Sequence, residues 1–289
     1  MYICIVKIGI LIYTYNRIDD AVINMDIIKY HWNKSILLND AIIAHSYNGN
    51  REWYKNKYLE TKLIRSRNSW HYQGAADLID SGMKYFSKRK DIDYVIVLAA
   101  DTWLIDADYI ESVILEMRQN NLFVATCAWG NSQRNELSDV GMATDFIIVD
   151  NKWAAKYKLF PLKYKSFYNK YNELFTYKNS HTINVEKLMF TRYIQAINRY
   201  DLNSIGSRNR IYNHIHIMKE REPIHINNKW ERQMYWRDIG ILTHHSPCDK
   251  RIILYDNNIK YGSGIYKLLN SDDLSYYNKG ITVMEDNCN

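Results

Sequence analysis

The stretch Tyr94–Trp103, reading YVIVLAADTW, constrains the fold of this chain more than any other. Its apolar run, Tyr94 to Leu98, is rich in β-branched residues and too short for a helix. Such a run reads as a strand covered on both faces, as in a parallel sheet. Two small residues, Ala99 and Ala100, and then an acid, Asp101, follow it. Open α/β sheets bind ligands just beyond the carboxyl ends of their strands. A carboxylate there, behind residues small enough to admit a ligand, can hold a cation that bridges phosphates. Asp106 stands just ahead of the next helical pattern and is the better helix cap, which leaves Asp101 available for chemistry.

The rest of the first half alternates in the same way. Ile8 to Tyr13 makes a first strand ending in Thr14-Tyr15-Asn16-Arg17. A helix capped by Asp19 or Asp20 follows, with Ala21, Met25, Ile28 and Trp32 at helical spacing. Ala41 to Ala44 is a short second strand leading into the turn-rich His45-Ser46-Tyr47-Asn48-Gly49, and Lys62 to Arg65 is a third. Past Gly74 comes a helix with Ala75, Ile79, Met83 and Phe86 on one face. Another carries Ile110, Val113, Ile114 and Met117, and Leu122 to Ala128 is a fifth strand. Strands alternating with helices over the first 128 residues predict an α/β fold with a mainly parallel central sheet flanked by helices. No GxGxxG and no P-loop follows the first strand, which removes the main support for a dinucleotide-binding or ATPase reading.

The second half is less regular. Val140 to Val149 reads as a strand entered through Gly141-Met142-Ala143-Thr144-Asp145, and Lys152 to Tyr177 is dense in Lys and Tyr. A helix spans roughly Val185 to Asn198, and Ile239 to Thr243 is a short strand ending in His244-His245-Ser246-Pro247. The 289 residues, 47% hydrophobic and 24% charged, suit a soluble globular protein of one large domain or two small ones. The net charge of +6 suits anionic ligands, such as nucleotides, or an anionic membrane surface, without selecting among them. Cys4, Cys127, Cys248 and Cys288 form no CxxC pair. That argues against a zinc knuckle or a disulfide framework and for reduced thiols in the cytoplasm. The apolar opening has Lys7 inside it and no basic n-region, so it reads as a first strand rather than a signal peptide. No run reaches the roughly 18 apolar residues of a membrane span.

With these residues in place, the chain resembles the glycosyltransferases of the GT-A fold, particularly the family 2 type. Four features carry the likeness, in order, over about residues 6 to 128. Thr14-Tyr15-Asn16-Arg17 is similar to the family's T-x-N-R ending of the first strand, where nucleotide contacts begin. The stretch Asn68 to Asp77, with Gly74, resembles the loop and helix start that approach the nucleotide. Ala99-Ala100-Asp101 stands where the D-x-D metal motif falls, and Asp106 to Ile110 matches the opening of the following helix. There are two departures. Ala99 replaces the first acid of D-x-D, and Ala44-His45-Ser46 stands where the family's second strand ends in acids that hold base or ribose.

The resemblance implies one GT-A-like glycosyltransferase domain over residues 1 to 289. Its donor half is about 1 to 128, and an acceptor half with a C-terminal extension closes over the site. It implies a nucleotide-sugar donor held by Thr14, Tyr15, Asn16, Arg17, Asn68, Gly74, Asp77, Ala100 and Asp101, and a saccharide or lipid-linked saccharide acceptor. It implies Mn²⁺ or Mg²⁺ at Asp101, completed by a late histidine, for which His244 and His245 are the candidates. Imidazole suits Mn²⁺ better than Mg²⁺. An inverting transfer needs a general base. Glu186 lies where the family places an acid facing the acceptor, and Asp145, beside a strand, is its rival. Tyr, Trp and Lys over Lys152 to Lys178 fit a sugar-stacking acceptor site or a membrane interface, and base stacking with phosphate contacts is a third use of such a segment. The expectation is a cytoplasmic enzyme, peripheral at the membrane and with no nucleic-acid partner. The alternatives are a sugar nucleotidyltransferase, disfavoured by the missing glycines after the first strand, and a non-catalytic saccharide-binding or partner-binding GT-A module, which Ala99 keeps open.

Overall fold

The structure, a computed structural model, describes residues 6–14, 18–49, 61–69, 71–104, 106–129, 141–167, 169, 184–202, 209–218, 222–226, 232–235 and 239–244. In chain order the elements begin with β1 (Ile8–Thr14), α1 (Ile18–His31), β2 (Ile42–Tyr47), β3 (Lys62–Arg65) and α2 (His71–Phe86). Next come β4 (Tyr94–Ala99), β5 (Thr102–Leu104), α3 (Ala107–Asn120), β6 (Val124–Thr126) and β7 (Phe146–Asp150). The last are α4 (Asn151–Lys156), α5 (Val185–Tyr200), α6 (Asn209–Tyr212), β8 (Ile215–Ile217), β9 (Glu222–Ile226), β10 (Arg232–Tyr235) and β11 (Gly240–His244).

The expected mainly parallel α/β sheet is present. Seven strands run in the order β3-β2-β1-β4-β7-β6-β8, and only β7 is antiparallel to its neighbours. Alternation along the two central strands sorts their side chains onto two faces. Leu11, Val95 and Val97 pack with Ala76, Ile79, Met83 and Phe86 of α2. Ile8, Ile10, Ile12, Ile96 and Leu98 pack with Ala21, Met25 and Ile28 of α1 and with Ile110, Val113, Ile114 and Met117 of α3. Each fully buried aliphatic side chain is worth about 1.5–3 kcal/mol, which is why these two strands form the centre of the sheet. A second sheet of four strands, order β5-β11-β10-β9, is antiparallel.

Several boundaries differ from the sequence expectation for physical reasons. Helix α1 begins at Ile18, so Asp19 and Asp20 lie inside its first turn rather than capping it. Strand β2 continues through His45 and Ser46 to Tyr47, because both polar residues are buried and Ser46 Oγ donates to the Leu78 carbonyl at 2.7 Å. Residues 141–145 are not strand; β7 starts only at Phe146, after Met142 bridges Ala128. Asp106 does cap α3, accepting the Tyr109 N–H at 2.8 Å. Cys127 is buried and not in a disulfide. Among the described residues no helix is long and apolar enough to cross a membrane.

Candidate active site

Strands β1, β2 and β3 step outward on one side of β1, whereas β4 lies on its other side. The winding therefore reverses between β1 and β4. In open α/β sheets the crevice outside the carboxyl ends at such a reversal is where ligands bind. Thr14, buried, ends β1, and Asp101, 8% exposed, follows β4 by two residues. Tyr15, Asn16 and Arg17, expected to continue this rim, lie outside the described residues.

Backbone hydrogen bonds draw the neighbouring segments onto this point. Ala100 N donates to Tyr13 O at 3.1 Å, and Ala99 N donates to Asp145 O at 3.0 Å, so Asp145 stands against the end of β4 just before β7 begins. Met142 N donates to Glu186 O at 3.1 Å, which ties the 141–145 segment to the start of α5. Gly141 makes that approach possible. It has φ +92, and a Cβ there would meet the carbonyl carbon of Glu186 at 2.4 Å. Asn184 caps α5 by accepting the Lys187 N–H at 2.9 Å, leaving Glu186, 6% exposed, in the positively polarised first turn.

Asp101, Asp145 and Glu186 therefore converge, all three buried, and Tyr13 reports it. The Tyr13 hydroxyl donates to the Thr144 carbonyl at 3.4 Å. Its phenol is pushed well above the ordinary tyrosine range by burial first and then by the charge of Asp145, with Glu186 and Asp101 adding to it. One hydroxyl thus sits in the field of three carboxylates at the carboxyl end of the sheet. Such a cluster can accept protons from a bound hydroxyl and can orient a polyol. Tyr13 is absent from the residues singled out in the sequence, where it looks like one more strand aromatic.

The residues expected at the nucleotide, Asn68, Gly74 and Asp77, follow the carboxyl end of β3. Asn68 is exposed in the loop after β3, and Asp77 of α2 accepts from Ser69 Oγ at 2.6 Å. Gly74 lies inside the first turns of α2, and a Cβ there would have only ordinary contacts, the nearest at 3.6 Å from Asn48 Nδ2. Asn48, buried, directly follows β2 and donates to the Arg67 carbonyl at 3.0 Å. The strand end therefore falls at Tyr47, later than the Ala44-His45-Ser46 expected from the sequence.

The backbone of His244 ends β11, but its side chain and all of His245 lie outside the described residues. The strand does not join the main sheet, as a simple convergence of strand ends would require. It pairs antiparallel with β5, Leu242 opposite Thr102 and Gly240 opposite Leu104, so its end runs back toward Asp101. As a metal site, the donor set is sparse. Among the described residues no group of three or more His, Cys, Asp or Glu is arranged to hold an ion. A cation held by described side chains alone does not fit; one whose ligands come mainly from a bound diphosphate does.

No known protein family and no curated protein matches the sequence. Solved structures do match. Residues 1–349 of S. aureus TarS are similar with a TM-score of 0.43 and 9% identity, over 96% of this chain and 70% of that one. The galactosyltransferase LgtC, in complex with donor and acceptor sugar analogs, gives 0.43 and 8% over 73% of each chain. Mouse xyloside xylosyltransferase 1 in its apo form gives 0.40 and 9%, over 74% of this chain and 86% of that one.

Proposed function

We propose that this chain is a glycosyltransferase that moves a sugar from a nucleoside diphosphate sugar to a saccharide or lipid-linked saccharide acceptor. One observation carries the proposal: three buried carboxylates, Asp101, Asp145 and Glu186, act by charge on the Tyr13 phenol at the crevice where the winding of the sheet reverses. In this reading the donor's diphosphate lies between the end of β1 and Asp101, with Asn48 and the start of α2 on the nucleoside side. Mn²⁺ or Mg²⁺, bound together with the diphosphate and completed by His244 or His245, would neutralise the leaving group. Asp145 or Glu186 takes the proton of the acceptor hydroxyl, while Tyr13 and the Thr144 carbonyl hold the acceptor side of the crevice in place.

The test is a product assay. The protein is incubated with a panel of UDP-, GDP- and CMP-sugars, with Mn²⁺, Mg²⁺ or EDTA, and free nucleotide is measured. Slow release of a nucleoside diphosphate from one donor, accelerated by a saccharide acceptor, is expected. Inorganic pyrophosphate released from a nucleoside triphosphate and a sugar phosphate would instead identify a nucleotidyltransferase. Saccharide binding with no release would identify a non-catalytic module, a reading favoured by the single carboxylate left at the Ala99-Ala100-Asp101 turn.

A further inference from the structure

We propose that Asn24 is a positioning residue for Asp101. It is fully buried on the face of α1 that also carries Ala21, Met25 and Ile28, where an amide has no place for packing alone. Its Nδ2 lies 2.9 Å from the Thr102 carbonyl, 3.3 Å from that of Ala99 and 3.4 Å from that of Ala100. Three carbonyls can only accept, so the nitrogen end of the amide must face them. These carbonyls flank Asp101 on both sides, at the point where the chain leaves β4 of the large sheet and enters β5 of the small one. A segment that switches sheets cannot give all its carbonyls to either ladder, and buried carbonyls need donors. Side chains supply them. Trp103 Nε1 also donates to Ala100 O at 3.2 Å, and Trp32 Nε1 donates to Leu104 O at 3.1 Å. On the opposite edge, Ala99 N and Ala100 N are held by Asp145 O and Tyr13 O.

Asn24 is the donor that grips both sides of Asp101, and with Ala99 in place of a second acid, the position of this one carboxylate matters more. The proposal rests on the reading of Asp101 as the carboxylate at the diphosphate. Groups that orient a metal-binding carboxylate typically alter metal affinity 10–100-fold when removed.

The test measures binding of uridine diphosphate and guanosine diphosphate, each with Mn²⁺ or with EDTA, to wild type, Asn24→Ala, Asp101→Asn, the double variant and Trp32→Phe. The apo melting temperature of each is recorded alongside. Asn24→Ala is expected to lose about 10-fold or more of the affinity gained from Mn²⁺, with the EDTA value nearly unchanged. The double variant should lose no more than Asp101→Asn alone, as coupled residues do. Trp32→Phe, which frees only the Leu104 carbonyl, should melt lower yet keep the Mn²⁺ gain. Should Asn24→Ala fail to fold, Asn24→Ser, which keeps one donor, is expected to lose part of the gain. If Asp101→Asn loses the Mn²⁺ gain while the folded Asn24 variant keeps it, Asn24 is structural only and the proposal falls. If wild type gains nothing from Mn²⁺, or Asp101→Asn keeps the gain, the Asp101 reading falls and the proposal with it.

Discussion

Two carboxylates compete for the role of base, Asp145 and Glu186, both buried and both felt as charges by the Tyr13 phenol. Replacing the true base by its amide is expected to lower turnover by roughly 100-fold or more with donor binding little changed. Steady-state kinetics of Asp145→Asn and Glu186→Gln assign it, and full activity in both variants would put the base elsewhere. Gly141 offers an independent handle on Glu186. In Gly141→Ala the new methyl would press on the Glu186 backbone from a left-handed conformation. A stability loss of about 1–3 kcal/mol, with activity falling further than stability explains, is the expected result. His45 sets a pH dependence of its own. Burial lowers its imidazole to about 3. The unfolded chain therefore takes up a proton near pH 6.5 that the folded chain refuses until about 3, and stability falls as pH drops through that window. Between pH 7 and 5 this one group contributes a loss of about 2 kcal/mol. Denaturant titrations should show that loss in wild type and its absence in His45→Gln.

At the scale of elements, the parts readable in advance were those whose signal is local. Strand β4 and the turn after it were legible because five apolar residues in a row followed by Ala-Ala-Asp admit few structures. Helices α3 and α5 followed from apolar spacing. Strand β5 was not, since Thr102–Leu104 is three residues long and its pairing partner, β11, lies far along the chain. For the same reason the route that brings His244 toward Asp101 could not be seen: it is an antiparallel ladder of a second sheet. The end of β2 was misplaced because polar His45 and Ser46 look like loop, yet both are buried. Asn24 did leave a trace, as a polar interruption in the stripe Ala21-Met25-Ile28. The β5–β11 ladder can be tested through Gly240, where a Cβ would meet the Trp103 carbonyl at 2.1 Å. Gly240→Ala should separate the two strands. It is expected to lower the melting temperature and to weaken Mn²⁺-dependent nucleotide binding together, whereas a loss of stability alone would detach β11 from the site.

For the molecule as a whole, topology does the work that motifs do in more recognisable sequences. A mainly parallel sheet with a reversal between β1 and β4 makes one crevice at its carboxyl edge, and the acids from three separate stretches of chain reach it. The central claim is that this crevice holds a nucleoside diphosphate and a divalent cation together, with Asp101 between them. The most direct measurement is the melting temperature of wild type and Asp101→Asn across the common nucleoside diphosphates, with Mn²⁺ and with EDTA. A ligand at about 100 times its dissociation constant adds about 2.7 kcal/mol, on the order of 5 °C or more for a chain of this size. The account predicts such a rise in wild type for one nucleoside diphosphate with Mn²⁺, reduced by EDTA and by Asp101→Asn. No rise with any nucleotide, or an equal rise in Asp101→Asn, would contradict it.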